Sequence, residues 1–80
     1  RREARLPAGL VTAHLRVKQG CIQAVRFYGD FFGSGPLEEL EAAMAGLPLD
    51  AQLAEALAPL HVEHYMSGIT AEELARLLRG

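Results

Sequence analysis

Residues 10–28 read LVTAHLRVKQGCIQAVRFY, and the phase of this stretch decides how the chain folds. Val11, Ala13, Leu15 and Val17 fall on one side and Thr12, His14 and Arg16 on the other, the period-two alternation of a half-buried strand. Lys18, Gln19 and Gly20 supply a turn. From Cys21 to Tyr28 the chain resumes with β-branched and aromatic residues, but Ile22 is out of phase with Val25 and Phe27, so a bulge is expected near Gln23. Strands over about 10–17 and 21–28 should therefore pair as an antiparallel hairpin. A third strand over about 3–6 precedes Pro7, Ala8 and Gly9, where proline and glycine interrupt pairing and turn the chain.

Beyond Gly35 the period becomes helical. Pro36 suits a first helical position, Leu37, Leu40, Met44 and Leu47 fall on one stripe, and Gly46 can close a helix over about 36–45 in a left-handed cap. A second helix, over about 51–58, follows Asp50, whose carboxylate can accept from freed backbone amides; it carries Leu53 and Leu57 inward and stops near Pro59. The third, over about 71–79, has the strongest signals: Thr70 and Glu73 form a capping box, Ile69 can staple onto Leu74, and Leu74, Leu77 and Leu78 make the buried stripe. Strands followed by helices predict an α+β domain spanning residues 1–80, a small antiparallel sheet of two to three strands with three helices packed on one face.

Eighty residues suffice for one small domain and exclude a large enzyme with its own cofactor fold. Half of them are apolar, which excludes disorder, yet Ala and Leu supply 13 each and only five are aromatic. So light a core gains from further burial against a partner. The net charge of -2 carries no nucleic-acid signature, and no apolar run approaches the roughly 20 residues of a membrane-spanning helix. Cys21 is the one cysteine, and with no secretory signal in view the expected compartment is a reducing cytoplasm. Charge is divided by segment: residues 1–35 hold six basic and two acidic side chains, a balance of +4, whereas residues 36–80 hold two basic and eight acidic, a balance of -6.

Where strand gives way to helix lies YGDFFGSG, residues 28–35, with three of the five aromatics, three glycines and one acid. Loops are ordinarily polar and exposed, and two adjacent Phe cannot both enter one core from extended backbone. Three readings stand. Phe31 caps the core while Phe32 lies over neighbouring backbone; or one Phe is presented to a partner protein; or the glycines aim amides at a phosphate ahead of the helix. The third is disfavoured, because Pro36 removes a donor, Glu38 and Glu39 repel an anion, and the spacing matches no phosphate-binding fingerprint.

Other constellations are weaker. His61 and His64 are three apart, but no third ligand completes a zinc site beside them. Ser34 and Ser67 lack a local elbow or paired base, Cys21 reads as a small buried hydrophobe, and the glutamates at 38, 39, 41, 72 and 73 read as solvated helix faces.

The runs Arg5-Leu6-Pro7-Ala8-Gly9, Gly20-Cys21-Ile22, Tyr28-Gly29-Asp30-Phe31-Phe32-Gly33, Leu37-Glu38-Glu39-Leu40, Met44-Ala45-Gly46 and Tyr65-Met66-Ser67-Gly68-Ile69-Thr70-Ala71-Glu72-Glu73-Leu74, in that order, cover nearly the whole chain. Together they resemble the C-terminal accessory domain of bacterial lipoate-protein ligases. Gly29 to Gly33 is the most specific piece. Departures are Met66-Ser67, where family members often carry Phe-Gly, and Cys21, where a polar residue is expected. The resemblance implies participation in ATP-dependent formation of lipoyl-adenylate, followed by lipoyl transfer to a lysine of an acceptor domain in a 2-oxoacid dehydrogenase or glycine-cleavage complex. It also implies that lipoate and ATP act in a separate catalytic domain or subunit, with no cofactor bound by this chain. The family's catalytic lysine and Gly-rich lipoate segment have no match here; the one lysine, Lys18, sits in a turn.

On this view the chain is catalytically silent alone. The basic, strand-rich half should face the adenylation site, with Asp30, Phe31, Phe32 and Gly33 docking on the catalytic partner and Arg16 and Arg26 contributing positive potential. The strand and helix order also resembles iron–sulfur scaffold and sulfur-acceptor proteins, whose loop cysteines are missing here, and a protein-interaction module without a lipoylation role is the alternative.

Overall fold

The structure, a computed structural model, describes residues 2–80. Its sheet grows from the hairpin: β2 (Gly9–Lys18) pairs antiparallel with β3 (Cys21–Gly29) on one side and with β1 (Arg2–Leu6) on the other. Gln19 and Gly20 connect β2 to β3 with φ of 54° and 78°, the pair of positive values that a two-residue hairpin turn of matching twist requires. Arg16 pairs with Ala24 but Val17 pairs with Ile22, which leaves Gln23 as the extra residue of a bulge. That single insertion brings Ile22 onto the same buried face as Val25 and Phe27.

Four helices follow: α1 (Leu37–Met44), α2 (Leu53–Leu57), α3 (Val62–Tyr65) and α4 (Ala71–Arg79), with a 3₁₀ turn at Ala58–Leu60. They pack on the sheet's inner face, where Leu40, Met44, Leu53, Leu57, Leu74 and Leu78 are buried against Val11, Ala13, Val25 and Phe27. The architecture is α+β, with a three-stranded antiparallel sheet.

At α4 the capping box is complete, since Glu73 N–H donates to Thr70 Oγ1 at 3.0 Å and Thr70 N–H donates to Glu73 Oε1 at 2.9 Å. The outer edge of β3 is also covered. Phe27 N–H donates to Glu41 Oε2 on α1 at 2.8 Å, and the chain after α1 adds Gly46 N–H to the Ile22 carbonyl at 2.7 Å and Ile22 N–H to the Leu47 carbonyl at 2.8 Å. Covering an edge strand satisfies backbone groups and blocks adventitious pairing.

Several expectations need correction. Among the described residues the helices number four rather than three: Pro59 falls in the 3₁₀ turn, His61 takes a left-handed conformation (φ 56°), and the chain then re-enters one helical turn at α3. One turn is too short to show a period, so buried Val62 and Met66 carried no visible signal. Pro36 is the N-cap of α1 rather than its first residue. Asp50 caps a turn ahead of α2, accepting from Gln52 N–H at 2.8 Å, while Gln52 itself is the N-cap. Val17, expected on the buried face, is 45% exposed because β2 runs past the helices that cover its middle. Cys21 is half-buried, bridged to Pro48 at the hairpin end. No helix among the described residues is long and apolar enough to cross a membrane.

Candidate functional site

The loop between β3 and α1 is held by its backbone and not by its aromatic rings. Asp30 N–H donates to the Leu10 carbonyl at 2.9 Å, which keeps the strand end closed. Phe31 packs partly buried against the core. Phe32, the next residue, is 87% exposed, although its own carbonyl accepts from Ser67 N–H at 2.5 Å. Ser34 N–H and Gly35 N–H both donate to the His64 carbonyl, at 2.8 and 3.2 Å. A Cβ at Gly33 would stand 1.8 Å from the Tyr65 carbonyl oxygen, so only glycine permits this approach between loop and α3.

These bonds discriminate among the three readings of the loop. Phe31 is the ring that meets the core, and Phe32 is the ring that meets solvent instead of lying over neighbouring backbone. The amides of Ser34 and Gly35 are already donated to His64, which leaves the turn without the converging N–H groups a phosphate cradle needs. Asp30 and Gly33 are exposed beside Phe32 in sequence, and no group of three His, Cys, Asp or Glu among the described residues could hold a metal ion.

Around the clamp, the rings of His64 and Tyr65 meet edge to face with centroids 4.9 Å apart, and Tyr65 O–H donates to Glu39 Oε1 on α1 at 3.3 Å. Desolvation and the bond to the Glu39 carboxylate hold the Tyr65 phenol above its ordinary pKa.

Arg16 and Arg26 lie elsewhere, on the outer face of the sheet. Cross-strand pairing sets His14 opposite Arg26, Arg16 opposite Ala24 and Thr12 opposite Tyr28. The His14 and Tyr28 rings meet edge to face at 5.2 Å, and Tyr28 is 56% exposed. The sequence reading had treated Tyr28 as a strand end and had overlooked it as surface; its parity with His14 was the available signal. It also missed Ser67 and the Tyr65 carbonyl as the anchors of the loop, for no spacing rule connects residues more than 30 positions apart.

A ring presented on a backbone that is already pinned loses little conformational freedom when it binds. The arrangement is therefore suited to contact with another protein surface.

Comparison with known proteins points to one group. The family model described as bacterial lipoate protein ligase C-terminus matches residues 1–78. A lipoate–protein ligase of Streptococcus pyogenes serotype M5 is 38% identical over 78 residues, covering 96% of this chain and 23% of that protein. Lipoate-protein ligase LplJ of Bacillus subtilis is 35% identical over 75 residues, covering 92% of this chain and 23% of that protein. The chain thus spans under a quarter of the length of these relatives. Among solved structures, the same fold is found in a chain from an archaeal lipoylation system, a bipartite lipoate protein ligase and its E2 lipoyl domain from Thermoplasma acidophilum, with a TM-score of 0.79 at 18% identity, over 99% of this chain and 92% of that one.

Proposed function

The chain belongs to the bacterial lipoate protein ligase C-terminus family, and from that membership we propose that it is a noncatalytic accessory domain or subunit supporting formation of lipoyl-adenylate. Lipoate and ATP bind on the catalytic domain or subunit, in the cytoplasm. The lipoyl group then passes to a lysine of an acceptor domain that this chain meets only indirectly. The observation that carries the reading is Phe32, 87% exposed on a loop whose backbone is tied at Phe32, Ser34 and Gly35.

Docking works through that loop. Phe32 enters the catalytic partner's surface, Asp30 supplies a charged contact beside it, Phe31 anchors the loop to the core, and Gly33 allows the clamp to close. Adenylation joins an anionic nucleotide to a carboxylate, so it gains from exclusion of water and from nearby positive potential, to which Arg16 and Arg26 contribute. Transfer from an adenylate already formed has less need of either.

The test is a reconstituted ligase. Phe32→Ala and Asp30→Ala are expected to slow adenylate formation, Phe32→Ala by about tenfold or more as for a central aromatic contact, while transfer from preformed lipoyl-adenylate is kept. Equal loss of both steps would refute the reading.

A further inference from the structure

The two edges of the sheet differ. At β3 the chain covers its own edge: Glu41 Oε2 accepts from Phe27 N–H, the Leu47 carbonyl accepts from Ile22 N–H, and Leu49 N–H donates to the Gly20 carbonyl at 2.8 Å. The opposite edge is β1, with β2 as its one sheet neighbour. Beside it, between β1 and α4, lies a hollow lined by Ala4, Leu6, Arg76 and Leu77 among others. A strand at a sheet edge is a template for a further strand, and its side chains decide which strand it accepts.

Along β1 those side chains are Arg2, Glu3, Ala4, Arg5 and Leu6. Register with β2 sets Glu3 opposite Thr12 and Ala4 opposite the buried Val11, so Glu3 and Arg5 stand on the outer face and Arg2, Ala4 and Leu6 on the helix side. Ala4 and Leu6 pack against the core, whereas Glu3 and Arg5 are exposed. Unlike charges thus flank Ala4 symmetrically, which makes the strand complementary to its own reverse.

We infer that the β1 edge is a docking surface for the same edge of a second copy, giving a two-fold dimer with one continuous six-stranded antiparallel sheet; the inference is independent of the accessory reading above. Centred on Ala4, the pairing sets Glu3 of each copy opposite Arg5 of the other, and two unlike-charge pairs form on the outer face. On the helix side Arg2 of one copy meets Leu6 of the other, where its alkyl stem covers the apolar side chain. Glu3 Oε2 accepts from Thr12 Oγ1 at 3.0 Å, which holds the carboxylate on this face; with about four acceptor positions, a carboxylate can take a guanidinium as well.

The same charges exclude the neighbouring registers. Keeping the helix sides together allows only shifts of two residues. Moving the axis to Glu3 sets Glu3 against Glu3, moving it to Arg5 sets Arg5 against Arg5, and like charges directly opposite are destabilising. The contact is isologous and closes at two copies, because each copy's remaining edge, β3, is covered. A strand of five residues makes a small interface, under roughly 1,200 Å² in total, so the dimer depends on concentration and, through its ion pairs, on salt.

Sedimentation over a concentration series, at low and at physiological salt, tests the inference, with thermal melting as the check on folding. The wild-type chain is expected to pass from monomer to dimer. Glu3→Arg or Arg5→Glu opposes like charges at both pairs, and each should raise the dimer dissociation constant about tenfold or more. Mixing the two single variants should restore association as a heterodimer, since every facing pair is again unlike, and the Glu3→Arg/Arg5→Glu double variant should dimerise as wild type does. A wild-type chain that stays monomeric into the millimolar range overturns the inference. So does a dimer that neither single variant weakens, or one that mixing and the double swap fail to restore. A monomeric chain whose binding to the catalytic part of a lipoate ligase weakens with either single variant would overturn it too, and would give the edge to that partner.

Discussion

Phe32 and Gly33 are neighbours in the chain and opposites in consequence. Replacing Phe32 by alanine removes a ring that touches little of this molecule, so unfolding stability should stay within about 0.5 kcal/mol of wild type in a denaturant titration. Gly33→Ala places a methyl group 1.8 Å from the Tyr65 carbonyl oxygen, and relieving that clash means opening the clamp to α3. A loss of about 2 kcal/mol or more is expected from the same titration. The pair separates two roles that a single aromatic-and-glycine run does not distinguish. Composition marked residues 28–35 as unusual, but which Phe enters the core depends on backbone bonds from Asp30 to Leu10 and from Ser67 to Phe32, and those partners are distant in sequence.

Among the elements, legibility follows length and local punctuation. The hairpin, its Gln23 bulge and the capped α4 are set by neighbours within a few residues, and each was readable from phase, turn chemistry or a Thr-x-x-Glu spacing. Thr70→Ala removes the acceptor for Glu73 N–H at the start of α4, and should lower stability by about 1 kcal/mol in thermal or denaturant unfolding. In contrast α3 has four residues, too few for a period, and exists because Val62 and Met66 are buried and Met66 N–H donates to the Val62 carbonyl at 2.8 Å. The cover on β3 is of the same kind. Glu41 read as a solvated helix glutamate, yet it accepts Phe27 N–H, a role visible only once α1 lies along the strand edge.

Across the whole molecule, charge follows the division into sheet and helices. The +4 half of the sequence carries the strands, with Arg5, Arg16 and Arg26 exposed on the outer sheet face alongside Glu3, and the -6 half carries the helices. At alkaline pH the contact between α3 and α1 is the group to watch. Desolvation and the Glu39 carboxylate hold the Tyr65 phenol above the ordinary range for tyrosine, so the neutral form is the one the fold favours. Its contribution is fully present below about pH 10 and is lost as pH rises through the raised value, because the unfolded chain releases the proton first. Absorbance titration in a Tyr28→Phe background should show the remaining phenol ionising above its usual range in the folded chain and returning to it in denaturant. Tyr65→Phe should flatten the alkaline fall in stability.

Alternation, turn residues and helix caps were enough to specify an α+β chain, because each acts over a few neighbouring positions and needs no knowledge of the rest. They also located the aromatic loop and the segregation of charge. Which ring faces solvent, what ties the loop, and how Arg5, Arg16, Arg26 and Tyr28 come to share one exposed surface are matters of register and long-range packing. Contacts of that kind join residues far apart along the chain, and their energies are settled only when sheet and helices close on one core.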